Sequence, residues 1–226
     1  MNNKARDLTA VALLAPAPTF GVLSALLFSE SLLGSVLWAV AKAWMLLLPL
    51  CWWFWVDRQR VCISRPTVSS LLVGAGSGLL MAAAIVVAFW LVGVNDSQQQ
   101  LVQNQLRDVG IVSPFIYLTM ALYWCFINSI VEEYVFRWFI IEKSLPHLGR
   151  MMAVVLSATI FTIHHTVVVS FFLDLREVLL ATAGVFSAAL VWSWLYARYG
   201  NIWPAYISHI LADVAIFVIL YQILFD

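Results

Sequence analysis

The sequence predicts an all-α polytopic membrane bundle of about seven transmembrane helices, with the active site inside the bundle. Three observations carry this. Of the 226 residues, 63% are hydrophobic and 11% charged, against about 45–50% and about 25% in soluble domains. Apolar runs of about 20 residues, the length at which a helix crosses a bilayer, recur along the chain. These runs are continuous, unlike the alternating ten-residue segments of a membrane barrel.

Taken in order, the expected spans are 9–29, 33–56, 68–92, 114–141, 151–173, 178–199 and 203–225. The basic start, Met1 to Thr9, leads straight into apolar sequence without a small-residue cleavage site and reads as the edge of a retained first span. Between the third and fourth spans, the Gln-rich stretch 95–108 reads as a short surface helix or a lid. Gly200 suits a helix stop and Pro204 the first turn of the next helix. No repeat or long linker interrupts the chain, which reads as a single membrane domain, 1–226, with three N-terminal spans in 1–112 and a four-helix catalytic core in 113–226.

Charge sets an expected orientation. With the N-terminus cytoplasmic, the cytoplasmic segments carry Lys4, Arg6, Arg58, Arg60, Arg65, Lys143, Arg150 and Arg198, and the opposite side carries Arg107 and Arg176. This follows the positive-inside rule and puts the C-terminus on the opposite side. The zero net charge points away from nucleic acid. Cys51, Cys62 and Cys125 are scattered, which argues against a zinc–thiolate site and a disulfide framework.

The informative residues are the ionisable ones inside the spans: Lys42, Glu132, Glu133, Arg137, His164, His165, His209 and Asp213. Each costs several kcal/mol in hydrocarbon (about 2.5–3.5 on insertion scales) and survives where it faces a bundle interior, a partner or a water-filled cavity. Lys42 reads as structural, snorkelling along its helix. Glu133 and Arg137 stand four apart and share a helix face, as do His209 and Asp213. Glu132 is turned about 100° from Glu133 and can point elsewhere, at a water for instance. Glu132 and Asp213 each lie about 15 Å into their helices, near mid-bilayer. Trp192, Trp194 and Trp203 read as interfacial anchors.

A carboxylate beside a histidine can hold a water and take its proton as general base. His209 can donate to the oxyanion that forms when water attacks a carbonyl. Asp213 donates only if protonated; as a carboxylate it orients His209 and favours its imidazolium form. No serine or cysteine sits in a nucleophile motif, and GxSxG is absent.

Three motifs now stand in order: EExxxR at Glu132–Arg137, FxxxH from Phe161 to His165, and HxxxD from His209 to Asp213. Together with the connecting stretch Tyr196–Pro204, they resemble the CAAX prenyl protease and bacteriocin-processing (CPBP, or Abi) family of glutamate-dependent intramembrane peptidases, over roughly 115–216. The resemblance implies a metal-free peptidase without a cofactor, acting on a membrane-associated or lipid-modified peptide. It implies Glu132 as general base and His165 as the residue that helps to hold the water. Glu133 and Arg137 would order the first motif, Phe161 would support the second, and His164 would back the site. His209 and Asp213 would occupy the oxyanion positions. Eukaryotic CAAX proteases usually carry asparagine at the last position, so Asp213 departs from that version. Three alternatives stay open. One is a zinc peptidase using Glu132, His165 and His209; another is a non-catalytic immunity or scaffold protein. The third is a proton-coupled transporter.

Overall fold

The computed structural model describes residues 3–28, 30–60, 64–93, 96–108 and 110–225; Ser29, Cys62 and Asn95 lie outside the described residues. The helices are α1 (Asn3–Leu27), α2 (Leu32–Val56), α3 (Val68–Val92), α4 (Asp96–Asp108), α5 (114–148), α6 (150–170), α7 (Leu175–Tyr199) and α8 (Trp203–Phe225). No strand occurs among the described residues. Among the described residues, six continuous helices are long and apolar enough to cross a membrane, and the longest of them, Pro114–Ser170, has 57 residues. At about 1.5 Å per residue that is nearly three times the thickness of a hydrocarbon core. It turns at Gly149, whose φ of 75° and ψ of 167° would strain any side chain, and so divides into α5 and α6. The seven predicted spans thus have seven apolar helical counterparts. Gly200 ends α7 in the left-handed conformation, as its position predicts.

The chain folds as two compact units, residues 1–65 with 134–201 and residues 66–133 with 202–226. They interleave in sequence, whereas the division at 112/113 is a sequential one.

In the first unit, α1 packs on α2 and α6 on α7. Pro16 and Pro18 interrupt α1 after Leu14 because proline lacks an amide donor. Near this break the Leu13 carbonyl accepts from the Trp44 indole at 3.0 Å. Lys42 lies over the Trp38 ring, 5.9 Å from its centroid. A buried charge network ties α1, the end of α2 and the end of α5. Lys143 pairs with Asp57 and approaches Asp7 at 3.8 Å. Arg6 reaches Asp57 at 3.4 Å, and His147 Nε2 lies 2.9 Å from Asp7. Lys143→Met leaves two buried carboxylates short of their cation, which is expected to cost about 3–5 kcal/mol. A fall in the melting temperature of the detergent-purified protein checks this, and an unchanged one counts against it.

In the second unit, α3 and α8 form a close pair. A Cβ at Gly74 would run into the Pro204 backbone, and one at Gly78 would sit 2.8 Å from Ser208 Cα. This is the small-xxx-small contact by which membrane helices approach without a hydrophobic driving force. The Gln-rich stretch is the helix α4, and Gln99 and Gln103 donate from their amides to the Ile223 carbonyl at 3.0 and 3.1 Å. They supply donors for the last turn of α8, whose carbonyls lack helical partners. Tyr117 donates to the Phe217 carbonyl at 2.5 Å, and its ring meets those of Phe217, Tyr221 and Phe225 edge-on.

α5 does not keep α geometry. Its turns widen to π geometry over Tyr123–Asn128 and again over Glu133–Ile141, on both sides of Glu132. Wide turns disturb the regular backbone ladder and concentrate at functional sites. In hydrocarbon a carbonyl needs a donor, and hydroxyls supply three. Tyr206 donates to the Phe126 carbonyl at 2.9 Å. Ser157 donates to Phe136 at 2.8 Å and Ser144 to Ile140 at 2.7 Å.

Candidate active site

The second unit gathers an acid cluster around one imidazole. Glu132 and Glu133 come from α5, and His209 and Asp213 from α8, one turn apart. Glu132 and His209 are 5% and 3% exposed, and Glu133 is fully buried. His209 Nδ1 lies 2.9 Å from Glu133 Oε1, a hydrogen bond in which the ring donates. His209 Nε2 faces Glu132 Oε2 at 3.6 Å and Asp213 Oδ2 at 3.7 Å. One histidine thus meets three carboxylates from two helices. The adjacent glutamates approach opposite nitrogens of the same ring. An imidazole presents its two nitrogens on different edges, so a helix carrying two successive acids can reach both.

Ser129, one helical turn before Glu132 and Glu133, is the member that sequence reasoning missed. Its hydroxyl lies 2.6 Å from Asp213 Oδ2. The helical spacing from Glu132 was a signal, but a serine in a membrane helix ordinarily satisfies itself on its own backbone.

The first unit holds the rest of the motif residues. Arg137 is fully buried and lies over three aromatic rings, with its guanidinium carbon 4.3 Å from the Phe161 centroid, 5.1 Å from that of Trp192 and 5.8 Å from that of Phe136. Such desolvated cation–π contacts are worth about 2 kcal/mol. Phe161 therefore seats the arginine. Trp192 is not an interfacial anchor. It is 4% exposed and shares the buried face of α7 with Ala189, Leu195 and Tyr196, whereas Trp194, on another face, is 46% exposed. Trp192→Leu removes one face of this seat, and an expected loss of about 3 kcal/mol or more, combining cavity and cation–π terms, is measurable as a lowered melting temperature.

His164 is buried and stacks on Phe136 at 5.4 Å. His165 is less buried and lies on the Phe161 ring at 4.3 Å. Its Nδ1 donates to the Phe161 carbonyl at 3.0 Å, so the neutral ring presents Nε2 as an acceptor. A groove of about 470 Å³ opens between α6 and α7, lined by Thr159, Thr162, Thr166, Leu179, Thr182 and Phe186 among others. Neither glutamate, neither residue of the HxxxD motif, and neither His164 nor His165 lines it, so its size does not make it the site.

The stretch from Pro114 to Ala215 matches the family described as Type II CAAX prenyl endopeptidase Rce1-like. This match supports the CAAX prenyl endopeptidase family for residues 114–215. The match begins with the first residue of α5 and ends in α8, so it encloses all three motifs. With its apolar helices, the chain is an integral, multi-pass membrane protein, and its matched segment is similar to CAAX-protease-type enzymes. No curated protein and no solved structure gives a significant match.

Proposed function

We propose that this CAAX-type endopeptidase hydrolyses a peptide bond of a membrane-associated or lipid-modified substrate with water activated by Glu132 and His165. The observation that carries the reading is the acid cluster on His209, two buried glutamates and an aspartate within 4 Å of one ring, inside the family-matched segment. Glu132 takes a proton from the water, and His165 accepts the other water hydrogen through Nε2. The role of His165 rests on the FxxxH motif and on its Nδ1 bond to Phe161. The hydroxide adds to the substrate carbonyl, and the negative charge collects on the carbonyl oxygen. Glu133 holds the Nδ1–H of His209, so that a second proton on Nε2 is aimed at that oxyanion. The ring's positive charge is offset by the acids around it. Collapse of the intermediate breaks the C–N bond, and Glu132 returns its proton to the leaving amine. Asp213 orients His209 from beside the same Nε2. The N-terminus and Lys143 face the cytoplasm in this reading, by the distribution of basic residues.

Two experiments test it. Cleavage of a fluorogenic farnesylated CAAX peptide, or of proteins that accumulate in cells carrying Glu132→Ala, is expected to be lost in Glu132→Ala and His165→Ala. Persistence of cleavage in both folded variants overturns the reading. The mechanism uses no metal, so chelator leaves cleavage unchanged. Stoichiometric zinc in the purified protein, with activity lost to chelator and restored by zinc, establishes the zinc peptidase instead.

A further inference from the structure

Ser129 belongs to none of the three motifs, yet it is fully buried beside Asp213. Its hydroxyl has one proton and two acceptors within reach, the Trp124 carbonyl at 2.9 Å, five residues back in the first wide turn of α5, and Asp213 Oδ2 at 2.6 Å. The shorter contact, to the carboxylate, takes the proton. Asp213 depends on it in a way that an asparagine would not. A carboxylate is an acceptor only, and one whose side chain is only 20% exposed is destabilised when it lacks a donor. An amide carries its own N–H groups. The oxygen that Ser129 engages, Oδ2, is also the one that faces His209 Nε2 at 3.7 Å. The torsion that Ser129 sets therefore sets how Asp213 approaches His209.

We infer that Ser129 is a positioning residue for the hydrolysis: its hydroxyl holds Asp213 Oδ2 toward His209 and makes an aspartate workable at this motif position. The inference rests on the catalytic reading of His209 and Asp213 given above. Ser129 touches no reacting atom and acts through Asp213 alone. Its replacement by alanine leaves the helix and the packing nearly unchanged, because serine already sits inside a continuous helix, but it lets the carboxylate turn away.

The test uses the detergent-purified full chain with Ser129→Ala, Ser129→Thr, Asp213→Asn and the double variant Ser129→Ala/Asp213→Asn. In infrared difference spectra the carboxyl band that disappears in Asp213→Asn is that of Asp213. It is expected to move in Ser129→Ala and to stay in Ser129→Thr. With the farnesylated peptide, Ser129→Ala lowers kcat about tenfold with KM unchanged, Ser129→Thr restores it, and the loss shrinks in the Asp213→Asn background. An unmoved band in Ser129→Ala, or an equal loss of kcat in both backgrounds, overturns the inference. The infrared measurement decides the contact without any turnover. Cleavage that survives Glu132→Ala removes the catalytic reading and leaves the infrared result standing, so the two failures are told apart.

Discussion

Replacing Glu132 by glutamine abolishes peptide hydrolysis in a protein that remains folded. Glutamine keeps the volume of the side chain and one acceptor oxygen, and its amide still fits beside His209 Nε2, which the native carboxylate approaches at 3.6 Å. What it loses is the ability to take a proton from water and return it to the leaving amine. General base catalysis contributes about 100- to 10,000-fold, and the expected loss of kcat lies in that range with an unchanged melting temperature. Glu133→Gln is expected to be milder, about 10- to 100-fold. Glu133 meets His209 at Nδ1, and a glutamine oxygen can still accept that N–H, as with partners that orient a working histidine from behind. Equal losses in the two variants would mean that both glutamates share the base role. A Glu132→Gln enzyme within tenfold of the native rate would remove Glu132 as the base.

The second large effect is on packing. Gly78→Leu forces α3 away from α8, because even the first carbon of a side chain at this position would sit 2.8 Å from Ser208 Cα and 2.9 Å from the Leu211 side chain. Overpacking in a close interior contact costs about 1–3 kcal/mol. Here the yielding element carries His209 directly after Ser208, so the displacement reaches the acid cluster as well. The expected result is a lower melting temperature in detergent together with a loss of cleavage. Gly76→Leu is the control, since nothing lies within 4 Å of a Cβ there, and it should leave both nearly native. Equal behaviour of the two variants would show that the α3–α8 approach does not depend on a bare backbone at Gly78.

Much of this molecule is legible in its residues alone. Membrane helices declare themselves by length and composition, because hydrocarbon tolerates few other backbones. Gly200 and Pro204 marked the α7–α8 turn for local reasons, and the Gln-rich stretch was readable as a helix. The candidate site was legible as a set, because ionisable residues inside apolar spans stand out. Its pairing was not. Spacing on an ideal helix separates Glu132 from Glu133 by about 100°, but it does not say which residue of a distant helix each of them meets. The folded α5 carries wide turns on either side of Glu132, which no regular periodicity reveals, and both glutamates come to one ring. Trp192 shows the same limit: near a helix end a tryptophan reads as an anchor, and only its neighbours make it the seat of Arg137.

Residue order is enough to say that the chain lives in a bilayer, where its helices begin and end within a few residues, and which polar groups are too costly to be incidental. These follow from transfer free energies and from backbone chemistry acting over a few neighbouring residues. Packing in three dimensions was needed to show that His209 stands between Glu133 and Glu132, that Ser129 holds Asp213, and that Gly78 lies against Ser208. Those contacts join residues 76 or more positions apart. Their geometry comes from the packing of α8 on its partners rather than from any property that one segment carries alone.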